Sequence, residues 1–195
     1  MQSLFWNLVP RSPTRLGLTA LVISLTGSAL IGVAIILVGN FDDTQMRVLA
    51  TAGSLASFSV LSFPSLFHLE RDQYSYLSWP GILFSLLAFV MIVLMIWGFL
   101  GGGEYFRILT TLLIGSFSAN HALLMLATAP LKTLILICQL ATILIIFVVG
   151  FLAVIAIWLG GLPDFIPRLF GALVVLDALG TVAVPIMTRI ERLKS

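Results

Sequence analysis

Between Arg168 and Arg189 lie 20 residues whose only ionisable member is Asp177. About 20 apolar residues, rising 1.5 Å each, are what the hydrocarbon core of a bilayer requires of a helix. This stretch therefore reads as a membrane helix with a carboxyl near its middle. A charged carboxylate at that depth costs roughly 2.5 to 3.5 kcal/mol on the insertion scale, so Asp177 is expected to be uncharged, turned into protein and hydrogen-bonded.

The same outline occurs twice earlier in the chain. Arg47, Arg107 and Arg168 are 60 and 61 residues apart, and each comes after a glycine and an acid: Gly39 and Asp43, Gly98 and Glu104, Gly160 and Asp164. Pro64 falls 17 residues after Arg47, and Pro185 falls 17 after Arg168. The residues beyond each proline also match, His68, Leu69, Glu70 and Arg71 against Arg189, Ile190, Glu191 and Arg192, while the middle copy has Leu124 in place of the proline. A period of this size holds a unit of two membrane helices and predicts an internal repeat, with units over about 16–71, 80–130 and 131–192.

Composition agrees. The 195 residues are 60% hydrophobic and 9% charged, with mean hydropathy +1.16. One integral membrane domain over 1–195 is expected, with no loop long enough for a soluble catalytic unit. The net charge of +2 is spread over loops, and no basic patch with aromatics points to nucleic acid. Cys138 stands alone inside an apolar run, as a small packing residue.

In chain order, Met1 to Arg15 reads as a short interfacial segment with a proline corner. The first helix runs from Leu16 to Val38, too long for a signal-peptide core, with Ser28 and Gly32 at small-xxx-small spacing. The second, Arg47 to about Phe67, is rich in serine and alanine and suits a packed position. A loop from His68 to Trp79 is the longest. The third helix, Pro80 to about Leu100, is nearly pure hydrocarbon and is expected to face lipid. The fourth covers Tyr105 to Ala129, the fifth Thr133 to Leu159, and the last Pro167 to Arg192, with Asp164 placed to cap it.

The fold class is thus all-α: a polytopic membrane protein with six transmembrane helices, as three two-helix hairpins in a pseudo-threefold bundle. Seven basic residues (Arg11, Arg15, Arg71, Lys132, Arg189, Arg192, Lys194) fall on the side of the N-terminus against Arg47, Arg107 and Arg168 on the other. The positive-inside rule then places both termini in the cytoplasm. Trp6, Tyr74, Tyr76 and Trp79 mark that boundary, and Trp97, Tyr105 and Trp158 the outer one. The second, fourth and sixth helices are expected to form an inner ring. In the arginine register, Asp177, Gly180 and Thr181 align with Ser116, Ala119 and Asn120 and with Ala56, Ser59 and Val60.

Asp177 is the leading candidate for a proton or cation site, with Ser116 or Asn120 as its hydrogen-bond partner and Thr181 beside it. The simpler role is interhelical glue, worth about 1 kcal/mol. His121 is a candidate ligand for a haem or pigment, against simple packing on Gln139. The three arginines read as interfacial anchors paired with local acids, and Pro64 and Pro185 as repeated kinks.

No metal-protease, nucleophile-elbow or phosphate-loop motif is present, no metal site or cofactor is indicated, and no enzyme activity is expected. Gly115, Ser116 and Phe117 do not fit the Gly-x-Ser of intramembrane serine proteases, and the carrier signature of mitochondrial transporters is missing. The expected function is a structural or accessory subunit of a larger membrane complex, with the lipid bilayer and other membrane subunits as partners. The alternatives are a small transporter or proton-coupled channel using Asp177, and a haem- or pigment-binding protein using His121.

Overall fold

The computed structural model describes residues 13–38, 42–130, 132–161, 163 and 165–193. The interfacial segment and the Asp164 cap lie outside them, as does the side chain of Ser28. Among the described residues six helices succeed one another: α1 Pro13–Val38, α2 Asp43–Glu70, α3 Ser75–Ile96, α4 Gly103–Leu126, α5 Thr133–Leu159 and α6 Ile166–Arg192. There is no strand among the described residues. α2 through α6 are each long and apolar enough to cross a membrane, as a multi-pass integral membrane protein requires.

The expected long loop from His68 to Trp79 is replaced by a four-residue connection, because both adjoining helices extend into it. α2 ends in a Schellman motif, in which Gln73 N–H bonds the His68 carbonyl at 3.0 Å and Asp72 N–H the Leu69 carbonyl at 3.2 Å. Asp72 takes the left-handed position this requires (φ 52), which aspartate tolerates. Tyr74 is also left-handed (φ 51) as the N-cap of α3. A bulky residue there is strained, and its ring is held edge-on against His68 at 5.4 Å.

Each helix packs on the next, and α4 also packs on α2 and, narrowly, on α6. α2 and α6 make no contact among the described residues, so the expected ring of α2, α4 and α6 is not closed. α4 is the central helix, burying Leu109, Ser116, Ser118, Ala119, Asn120, Ala122, Leu123 and Met125. α6 buries only Val184, Thr188 and Glu191, so it is peripheral rather than inner.

The reason lies in α3, which is not wholly lipid-facing. Its Ser78, Gly81, Ser85 and Ala88 recur at spacings of three, four and three and form a buried stripe. Small residues let helix backbones approach closely in lipid, where van der Waals contact and hydrogen bonds replace the hydrophobic effect. That stripe meets Ser116 and Ala119 of α4: the Ser85 and Ser116 hydroxyls bond directly, and a Cβ on Gly81 would stand 3.6 Å from the Ala119 Cβ. Ser116 is thereby engaged within its own hairpin. At the same seam, where α2 also approaches Gly81, Asn120 Oδ1 accepts from the Ser65 hydroxyl of α2 at 2.6 Å and its Nδ2 donates to the Ser116 carbonyl at 2.9 Å.

The far end of α4 is a meeting point for three other helices. The last carbonyls of a helix lack intrahelical donors. Around this end, His68 Nε2 of α2 lies 2.9 Å from the Leu123 carbonyl, Gln139 Nε2 of α5 donates to the carbonyls of Met125 (2.6 Å) and Thr128 (2.9 Å), and Arg192 of α6 donates to the Ala129 carbonyl at 2.9 Å. Two of these donors fall in the last turns of α2 and α6, beyond Pro64 and Pro185. At the opposite end, Trp97 Nε1 donates to Thr51 Oγ1 at 3.2 Å, and Trp158 Nε1 to Thr111 Oγ1 at 3.1 Å.

Candidate proton site between α4 and α6

Asp177 is brought to His121, not to Ser116 or Asn120. Thr181, one turn beyond Asp177 on α6, donates its hydroxyl to Asp177 Oδ1 at 3.3 Å and lies 2.9 Å from His121 Nε2. A hydroxyl has one proton to give. With that proton on Asp177, Thr181 accepts from His121 Nε2–H, which fixes the hydrogen on that ring nitrogen. His121 Nδ1 remains, buried and without a hydrogen-bond partner, 3.9 Å from Asp177 Oδ2.

A neutral imidazole presents a lone pair at Nδ1, and an ionised carboxylate opposite presents another. The 3.9 Å between them is longer than a hydrogen bond, so the two groups face each other without sharing a hydrogen in this arrangement. The two side chains are 14% and 17% exposed, so both are largely shielded.

The pair borders two cavities. One of about 320 Å³ lies between α4, α5 and α6, walled by Ile114, Phe117, Ile146 and Val149, with Asp177, His121 and Ser118 as its polar members. The other, about 290 Å³, lies between α2 and α4 and includes Val60, Pro64 and Asn120. His121 and Phe117 line both, their rings 5.5 Å apart. The imidazole thus stands between the two sides of α4. Pro185 adds a local consequence: having no N–H, it leaves the Thr181 carbonyl without its helical donor beside the pair, as Pro64 does for Val60 on the second cavity.

Gln139 does not support His121; its amide serves the end of α4. The axial-ligand reading of His121 would require Nε2 to leave Thr181, since Nδ1 is turned toward Asp177. Among the described residues, no three His, Cys, Asp or Glu side chains gather as a metal site. Of the arginine anchors, Arg107 pairs with Glu104 at 2.9 Å. Asp42 instead caps α2, accepting from Gln45 N–H at 2.7 Å. The acid expected to pair with Arg168 lies outside the described residues.

The His121 pairing is within reach of the sequence. His121 is 14 residues past Arg107 and Thr181 is 13 past Arg168, so in two helices running the same way they sit at one depth. The arginine register followed residue for residue pairs Asp177 with Ser116 and Thr181 with Asn120 instead, one position short of His121. No known protein family, no curated protein and no solved structure matches the chain.

Proposed function

We propose that the protein is a multi-pass membrane protein in which the His121–Asp177 pair takes up and releases a proton, the working site of a small transporter or proton-coupled channel. The observation that carries this reading is the juxtaposition of an unpartnered imidazole nitrogen and a carboxyl, both shielded, at the edge of an apolar cavity. Intramembrane ionisable groups are costly, and an imidazole facing a carboxyl is a natural step in a relay. Thr181 positions the imidazole, and Asp177 holds or receives the proton.

Reconstitution tests it. Proteoliposomes loaded with a pH-sensitive dye should acidify under an imposed proton gradient when they contain the wild-type chain. Asp177→Asn should abolish that flux while leaving gel-filtration and melting behaviour unchanged. Undiminished flux in the variant removes the site.

A second reading, a structural or accessory subunit docked to other membrane proteins, is favoured by α6. That helix buries three residues within the chain and leaves Val175, Leu179 and Val182 at least 60% exposed. Gentle native purification with mass spectrometry of co-purifying chains distinguishes the two: a stoichiometric partner supports docking.

In either reading we infer six membrane-spanning helices in three repeated hairpins with both termini cytoplasmic. The repeat is supported by two pairs of contacts in the 60–61 register: Trp97–Thr51 with Trp158–Thr111, and Gly81–Ala119 with Thr142–Gly180. Sidedness rests on the arginine and lysine distribution.

A further inference from the structure

The cavity of about 320 Å³ between α4, α5 and α6 holds a polar group that the proton site does not use. Ser118 lines it and is 7% exposed, and its hydroxyl has no hydrogen-bond partner among the described residues. A serine inside a helix commonly returns its hydroxyl to the carbonyl four residues back, as Ser59 and Ser85 do. The Ser118 hydroxyl is turned toward α5 instead, where Gly150 clears the space: a β-carbon there would stand 2.5 Å from the Ser118 oxygen. A buried hydroxyl left unpaired in apolar surroundings is costly and calls for a partner.

Asp177 offers a second acceptor on the same wall. Its Oδ1 is taken by the Thr181 hydroxyl, while Oδ2 makes no hydrogen bond among the described residues and is not sealed off as His121 Nδ1 is. Phe117 adds an aromatic ring, and the remaining wall is apolar, with no lysine or arginine among the described residues. A few placed polar groups in an otherwise apolar cavity are the usual makeup of a small-molecule site.

We propose that this cavity binds a small lipophilic amine in its protonated form, the cation that the transporter exchanges for protons. The assignment rests on the proton-site reading above. A carboxylate on a wall without a basic anchor disfavours an anion. The apolar wall gives a metal ion too few ligands, since a hard cation takes about six oxygens or more. Asp177 Oδ2 and Ser118 Oγ both accept, so they favour an ammonium with N–H donors over a quaternary one, and the Phe117 ring suits a cation's charge. An apolar cavity of about 150 Å³ takes one benzene, so this one has room for an amine carrying one or two rings. The exchange balances: the ammonium enters against ionised Asp177, and when it leaves a proton takes its place on the carboxyl.

Calorimetry on the full chain in neutral detergent tests this with phenethylamine, its trimethylammonium analogue and phenethyl alcohol, beside proton flux in proteoliposomes. Phenethylamine should bind, and the other two at least tenfold more weakly. Ser118→Ala should weaken phenethylamine about tenfold, the loss of one hydrogen bond to a charged group, and Asp177→Asn should abolish its binding. Equal binding of the alcohol or of the trimethylammonium analogue, or an unchanged Ser118→Ala, would each overturn the assignment. Proton flux without amine binding overturns the amine and spares the proton site, whereas amine binding without Asp177-dependent flux overturns the proton site and the exchange.

Discussion

Gly180 of α6 is seated directly on the side chain of Thr142 of α5, with no room for a β-carbon between them. The contact sets how closely the last two helices approach, and Asp177 lies one turn away on the same face. Gly180→Ala must push against a threonine fixed on its own helix by a 2.9 Å bond to the Cys138 carbonyl. A loss of about 1–3 kcal/mol is expected. Gly171→Ala, where nothing lies within 4 Å, should be neutral or gain about 0.5–1 kcal/mol of helix propensity. Denaturant titration of both variants in one detergent checks the contrast, and equal effects would contradict the packing.

The two tryptophan–threonine bonds make a matched pair. Trp97→Phe and Trp158→Phe each remove one exposed indole donor, so each should cost about 0.5–1.5 kcal/mol. If the bonds are copies of one ancestral contact, the two losses should agree, and Thr51→Val and Thr111→Val should reproduce them. A large effect at one site with none at the other would separate the copies.

Gln139→Leu keeps the volume of a buried side chain but withdraws the donor to the carbonyls of Met125 and Thr128. A destabilisation of about 1–3 kcal/mol is expected, with faster hydrogen exchange confined to the corner between α4 and α5. Exchange that rises across all helices would instead mean general loosening.

The predicted orientation is open to labelling. On a Cys138→Ala background, Gln73→Cys should react with a membrane-impermeant maleimide only from the cytoplasmic face, and Glu104→Cys only from the other. Both positions are exposed. Reaction from one common side would refute the hairpin topology.

Helix existence is legible in the sequence because hydropathy over 20 residues is a strong signal in lipid, and α5 begins and ends where the sequence predicts. The start of α3 is not, because the turn before it puts Asp72 and Tyr74, not glycines, at positive φ, where the usual glycine signal for a helix stop is missing. Which faces pack is harder. The Ser78, Gly81, Ser85 and Ala88 stripe is present in plain spacing, yet high mean hydropathy masks it. Asp177 stands out as an isolated acid, but its partner depends on which helices touch, and sequence alone does not say that α2 and α6 stay apart.

That separation has a mechanical consequence. Among the described residues α1 leans on α2 alone, and α6 on α5 with a narrow footing on α4, so the outermost helices can be peeled away without tearing the α2–α3–α4 centre. Drawn from either terminus by a force probe, the molecule should unzip in discrete steps, and the α2–α3–α4 centre, tied by the Ser65–Asn120 and Ser85–Ser116 bonds, should form the last and steepest barrier.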